Sequence, residues 1–268
     1  MLRHAGAARV EEASVSVSPA NAATLRQSQP TTASTRKTAV LVGLLFLIAT
    51  VTFATADALV KGVLKGSNYL TGVSAHTNAL AAGALLAFVQ GIAIVAIALL
   101  LFPLFRRTSE PLALAYVGFR VAELAATLFY VVTPLLVINV GNAFGNATLS
   151  TSASQHLGAL FQGQRTVSIE VLYLVTSVDG SILAFLLYRS RLVPRPIAIL
   201  GLVGYPVLAL GTILAMFNVT TVTHGVGQVA LVPGGLFELI FPIWLIVKGF
   251  AFPGSQPVMA DTPAGGPS

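Results

Sequence analysis

Six apolar runs, each about twenty residues or more in length, occupy most of this chain and restrict its fold more than any other feature. They cover about residues 38–59, 78–105, 111–140, 167–188, 196–217 and 228–250. A helix of ~20 mainly apolar residues crosses the ~30 Å hydrocarbon layer of a bilayer. Inside that layer every backbone N–H and C=O must be paired within the protein, which leaves helices or closed barrels. A barrel needs alternating segments of ~10 residues, and the runs do not alternate. The pattern predicts an all-α, polytopic membrane protein with six transmembrane helices in a bundle and the lipid bilayer as its surroundings.

The composition agrees. Only 9% of the 268 residues are charged and 55% are hydrophobic, whereas soluble domains carry roughly 25% charged residues. There is no cysteine, which excludes disulfides, thiolate metal sites, iron–sulfur clusters and cysteine nucleophiles. The net charge of +6 raises nucleic acid as a partner. The basic residues, however, stand at the ends of apolar runs and form no stripe interleaved with aromatic residues, so no nucleic acid is expected.

The same basic residues orient the chain. With the N-terminus inside, eleven of the fifteen Lys and Arg fall on the inner side, among them Arg36, Lys37, Arg106, Arg107, Arg189, Arg191, Arg195 and Lys248. Lys61, Lys65 and Arg165 fall outside, and Arg120 lies within a span. The positive-inside rule then places both termini in the cytoplasm. Residues 1–36 are rich in Ala, Ser and Thr without apolar periodicity and read as a disordered tail. Residues 37–252 form the membrane domain, and the Pro- and Gly-rich residues 253–268 form a second disordered tail. Ala54-Thr55-Ala56 has the form of a signal cleavage site, but the region before the first run is long for a signal peptide, and a retained first helix is expected.

The longest loop runs over about residues 141–166. In it Ser152 and Gln155 have capping-box spacing, with Leu157, Leu160 and Phe161 following at helical spacing, which predicts a short surface helix. Asn146 and Asn218 each begin an N-x-T triplet in an outer loop, an acceptor only where secreted proteins are glycosylated. Gly201, Gly204 and Gly211 suit close approach of the fifth helix to a neighbour. Pro206, Pro233 and Pro242 suit kinks, and Trp244 with Lys248 suits an interfacial anchor.

Charges inside the spans carry the functional question. An ionised side chain at the bilayer centre costs ~2.5–3.5 kcal/mol, while each apolar residue returns only ~0.3–0.6 kcal/mol. Arg120, Glu123, Asp179 and Glu238 all fall near the middle of their spans. Tyr116, Arg120, Glu123, Thr127 and Tyr130 recur within an arc of about 80° on the third helix, a stripe expected to face the bundle interior. Arg120 and Glu123 are spaced to pair along the helix, and Tyr116, Thr127 and Tyr130 are candidate lining residues. Glu170 lies about half a turn of azimuth from Asp179 and belongs to a looser outer rim with Asp57, His76, His156, Arg165 and His224, which reads as ordinary interfacial polarity. One guanidinium neutralises one of three midplane carboxylates. The others must be protonated, hydrated or met by an incoming cation. Two readings stay open: a network that staples helices together, and a proton- or cation-linked site.

The chain resembles a bacterial membrane family known as domain of unknown function 4386, over about residues 37–250. The resemblance rests on Phe119-Arg120-Val121-Ala122-Glu123, on Leu187-Tyr188-Arg189-Ser190-Arg191 with Pro194-Arg195, on Phe237-Glu238-Leu239, and on Trp244 through Gly249. It implies a multi-pass protein of the bacterial cell membrane and supplies no substrate, reaction or partner. Asp179 lies outside the matching segments.

No H-E-x-x-H, no G-x-S-x-G and no phosphate-binding glycine loop occurs, and no histidine lies within a span, so no catalytic residue, metal or cofactor is assigned. The expected role is non-catalytic: structural, regulatory, or binding a membrane-protein partner. The alternative is a small proton- or cation-linked transporter or channel using the midplane cluster. Pro233-Gly234-Gly235 bears on that alternative, since broken helices build many transporter sites, although a kink near the helix start is the better account of it.

Overall fold

The computed structural model describes residues 32–65, 73–221 and 225–251. Six long helices make up nearly all of it, and among the described residues there is no strand. They are α1 (Thr32–Val63), α2 (Thr77–Phe105), α3 (Glu110–Gly145), α4 (Thr151–Ser190), α5 (Arg195–Met216) and α6 (Leu231–Val247). Short 3₁₀ turns, Ser74–His76 and Gly225–Ala230, lead into α2 and α6. Each of six segments is long and apolar enough to span a membrane.

Each helix packs on its neighbours in the chain, and α1 closes the circle against α6. Large apolar side chains such as Leu85, Phe129 and Leu210 cover the outside of the bundle. That is the surface expected of a protein whose solvent is hydrocarbon. Inside, Phe46, Phe105, Tyr116, Tyr205, Phe237 and Phe241 anchor the main core. Phe237 and Phe241 stack, and Phe46 meets Phe241 edge-on with ring centroids 5.2 Å apart.

Close helix contacts need small residues, as expected for α5. A Cβ added at Gly204 would lie 2.6 Å from the backbone N of Gly234 on α6. At Gly201 it would lie 2.9 Å from the Ala184 methyl, and at Gly211 it would meet Ala230. Gly43 does the same for the α1–α6 seam, where an added Cβ would lie 2.8 Å from the Pro242 carbonyl.

Several boundaries differ from the sequence-based expectation. No separate surface helix lies between the third and fourth spans. Residues 151–166 are instead the first turns of a 40-residue α4, about 60 Å long at ~1.5 Å per residue and so about twice the hydrocarbon thickness. Its N-cap is Ser150, whose Oγ accepts from the Ala153 N–H at 3.2 Å, and not the expected Ser152. Gly158 and Gly163 do not break this helix because burial of Ser154, Gly158 and Arg165 against neighbours outweighs a glycine cost of ~1 kcal/mol.

α6 begins at Leu231, not 228. Pro233 has no N–H, and its ring would meet the carbonyl four residues earlier, so the backbone before it stays 3₁₀. Pro233-Gly234-Gly235 therefore occupies the helix start and breaks nothing. The helix stops at Val247 because Gly249 takes φ +76°, with its N–H bonded to Leu245 O at 3.0 Å.

α1 starts at Thr32, inside the tail expected to reach Arg36. Arg36 is a structural residue: Nη1 donates to Leu245 O at 3.1 Å, and Nη2 to Ile246 O at 2.9 Å and Val247 O at 3.3 Å. It thus satisfies carbonyls left open at the end of α6. The rest of the two expected tails, together with His224, lies outside the described residues. Trp244 is partly buried and packs against the core, and its indole N–H has no hydrogen-bond partner among the described residues.

Candidate functional site

Arg120 lies on α3 with 3% of its surface exposed. All three of its guanidinium nitrogens are engaged. Nε donates to Tyr116 Oη at 3.2 Å, Nη1 donates to Glu123 Oε2 at 2.7 Å, and Nη2 faces Asp179 Oδ1 at 3.5 Å. The first two contacts follow from the i,i−4 and i,i+3 geometry of one helix. The third crosses to α4, which brings Asp179 into the cluster although it lies outside the family-like segments. The guanidinium also sits 5.3 Å from the Tyr116 ring centroid and 5.9 Å from that of Phe46, within cation–π range.

The three carboxyls differ in their surroundings. Glu123 is bonded on both oxygens, since Thr176 on α4 donates to Oε1 at 2.8 Å. Asp179 is fully buried, and among the described residues neither of its oxygens receives a hydrogen bond; Arg120 serves it as a nearby charge. Glu238, on α6, is set apart from the other two. Tyr205 Oη donates to it at 3.4 Å, and among the described residues no Lys or Arg lies within ion-pair distance.

Between these groups lies a cavity of about 230 Å³ with walls drawn from all six helices. Thr50 of α1, Gln90 of α2, Glu123 of α3, Thr176 of α4, Tyr205 of α5 and Glu238 of α6 all line it, and Arg120 reaches it. The remaining wall is apolar and aromatic, with Phe46, Phe53, Leu172 and Leu208. Arg120, Glu123 and Glu238 therefore border one space, as their midplane depth suggested, while Asp179 stands behind Arg120 and off the wall.

The expected lining residues Tyr116, Thr127 and Tyr130 do not form this wall. Tyr116 supports Arg120 from the core side. Thr127 donates to Glu123 O at 2.9 Å and to Gln90 Oε1 at 3.3 Å, so it holds the wall from behind. Tyr130, two turns beyond Glu123 on α3, belongs to a second cluster.

That second cluster lies toward the far end of α1. Asp57 pairs with Lys61 at 2.7 Å and with Arg165 of α4, and Tyr130 Oη donates to it at 3.4 Å. Arg165 lies 5.6 Å from the Tyr130 ring centroid. Beside it Thr133, Gln164 and Ser168 form a hydrogen-bonded chain. Part of the expected loose polar rim is thus a buried network tying α1, α3 and α4. Glu170, expected in the same rim, is half-buried and forms no ion pair with this network among the described residues.

Gln90, Thr176 and Tyr205 were not singled out from the sequence. Gln90 was detectable, since it is the one amide within the apolar part of the second run, and an isolated polar group there demands a partner. Thr176 and Tyr205 carried no such signal, because hydroxyls are common in membrane helices. A family model described as Domain of unknown function (DUF4386) matches residues 41–249. No curated protein and no solved structure matches the chain.

Proposed function

The chain belongs to the DUF4386 family, and from that premise we propose that it is a non-catalytic membrane protein that binds a small solute in its central cavity. The observation that carries this reading is the composition of the cavity wall, to which all six helices contribute. A staple needs two or three helices and no empty volume, whereas protein interiors are otherwise close-packed. A space of this size bordered by Arg120, Glu123, Glu238 and Gln90 has the mixed polar and apolar wall of a small-molecule site. The distribution of Lys and Arg supports a bundle with both termini in the cytoplasm, and the family resemblance supports the bacterial cell membrane as its location.

The test is a thermal-unfolding screen of the full chain in lipid nanodiscs against small cations, anions and neutral compounds. A ligand present at ~100 times its Kd stabilises by about 2.7 kcal/mol, a shift of several degrees. Ile94→Phe, which fills part of the cavity, should abolish the shift. If no compound stabilises the wild type, or Ile94→Phe responds equally, the cavity is not a binding site. A carrier is the second reading, favoured by Glu238 bordering the cavity without a cation. Glu238-dependent solute flux into vesicles would establish it.

A further inference from the structure

The cavity has a direction. Its wall residues on α2, α3 and α5, among them Gln90, Arg120, Glu123 and Tyr205, are buried. On α1 and α6 the wall residues Thr50, Phe53, Ala54, Leu231, Gly235 and Glu238 all keep accessible surface. These two helices touch closely at one end: Arg36 bonds the last carbonyls of α6, Gly43 abuts Pro242, and Phe46 meets Phe241. The accessible wall residues lie in the other half of both helices. Cβ atoms placed at Gly235 would meet nothing within 4 Å. The mouth thus lies between α1 and α6, at the depth of apolar spans, where the surroundings are lipid.

The wall also has a preferred charge. The charge of Arg120 is already offset, because two carboxylates, Glu123 at 2.7 Å and Asp179 at 3.5 Å, face its guanidinium. An entering anion would find that charge already matched and would meet Glu123 and Glu238 on the wall. Glu238, by contrast, borders the cavity with one long hydrogen bond, from Tyr205, and so keeps acceptor capacity for an incoming donor. The rings of Phe46, Phe53 and Tyr205 stand on the same wall, and aromatic faces attract cations. Size narrows the class further. A cavity of ~150 Å³ accepts benzene, so 230 Å³ holds one ring with a short chain and excludes a diacyl lipid.

Building on the solute-binding reading, we propose that the cavity takes a small amphipathic amine, entering sideways from the bilayer between α1 and α6, with Glu238 as its counter-ion. Gln90 and Thr176 hold the deep end, and the aromatic residues hold the ring. The half of the bilayer that supplies the ligand is the one containing the C-terminal end of α1.

Equilibrium binding to the full chain in nanodiscs tests this with radiolabelled phenethylamine, its neutral isostere phenethyl alcohol and the anion 3-phenylpropanoate, with empty nanodiscs subtracted. Phenethylamine should bind saturably and at least tenfold more tightly than the other two. Glu238→Gln should weaken it at least tenfold, with the unfolding temperature of the variant confirming that it folds. Because the chain has no native cysteine, Gly235→Cys labelled with a bulky thiol reagent reports on the mouth. Labelling should slow phenethylamine association severalfold, while labelling of Leu85→Cys, on the outer face of α2, should not. If alcohol or anion binds as well as the amine, or Glu238→Gln binds it unchanged, the ligand class is wrong while a cavity site stands. If the two labelled variants behave alike, the sideways entry is wrong. If none of the three compounds binds, the amine proposal fails, and the Ile94-dependent screen decides separately whether the cavity binds anything.

Discussion

Arg120 and Asp179 face each other across the α3–α4 interface at 3.5 Å, close enough for strong attraction yet without a hydrogen bond to either carboxylate oxygen. Glu123, one turn from Arg120 on the same helix, has the short contact at 2.7 Å and a second donor in Thr176. One guanidinium therefore serves two acids unequally. The third acid, Glu238, is left to the cavity.

This inequality predicts opposite outcomes for two similar substitutions. Glu123→Gln removes the hydrogen-bonded member of a buried pair, and breaking such a pair typically costs about 3–5 kcal/mol. Glu238→Gln removes an acid with no cation at ion-pair distance among the described residues and keeps an oxygen able to accept from Tyr205. Its stability should equal or exceed that of the wild type, since functional groups are commonly held at the expense of stability. Denaturant unfolding of the two variants in mixed micelles decides the matter. Equal and large losses would make Glu238 part of a structural staple.

The outer cluster should divide in the same manner. Asp57 pairs with Arg165, which is 8% exposed, and with Lys61, whose side chain is 43% exposed. Lys61→Ala should cost no more than about 1 kcal/mol, the usual worth of an exposed ion pair. Asp57→Ala strands the buried guanidinium and the Tyr130 hydroxyl together, and it should cost at least twice as much. Comparable losses from the two variants in the same unfolding assay would contradict the burial of Arg165.

Much of this architecture is legible in the sequence because the bilayer imposes a length. Twenty apolar residues announce a span whatever surrounds them, and Arg120 pairs with Glu123 because three residues make most of a helical turn. What lies across helices is less legible. Asp179 reaches Arg120 only through the rotation of α4 against α3, which is set by packing along both helices and not by any local spacing. Tyr130 shares a stripe with Arg120 yet serves Asp57, because the stripe extends through several turns and meets different neighbours at each depth. The helix at the start of α4 shows in the spacing of Leu157, Leu160 and Phe161, but its continuity with the fourth span does not, for another reason. Beyond the bilayer the apolar requirement lapses, and a polar helix leaves little trace in hydropathy.

Glycine contacts give a test of the packing itself. Gly204→Ala would set a methyl group 2.6 Å from Gly234 N and 2.8 Å from the Pro233 carbonyl carbon. Both are backbone atoms in the first turn of α6, so neither can step aside as a side chain would. Overpacking of this kind costs about 1–3 kcal/mol. Gly118→Ala, an exposed helical position on α3 with nothing within 4 Å of the added group, should be neutral or stabilising by up to about 1 kcal/mol. Thermal unfolding of the pair reads the difference directly, and a stable Gly204→Ala protein would mean that α5 and α6 do not approach so closely.

Arg36 closes the α1–α6 seam at the end away from the proposed mouth of the cavity. Its three hydrogen bonds end on Leu245, Ile246 and Val247, and a cation at a helix C-terminus gains further from the helix dipole. Because the residue is exposed, its loss should cost only about 1–2 kcal/mol. The local effect should be larger than the global one. With Arg36→Ala the end of α6 loses its tie to α1, and hydrogen exchange in residues 245–249 should accelerate by an order of magnitude or more. Exchange across α3 and α4, which Arg36 does not touch, should stay unchanged. Arg36→Lys, with a compact ammonium in place of the planar fork, should recover only part of the protection. Uniform acceleration throughout the bundle would instead make Arg36 a global support, and the two ends of the α1–α6 seam could not then be treated as independent.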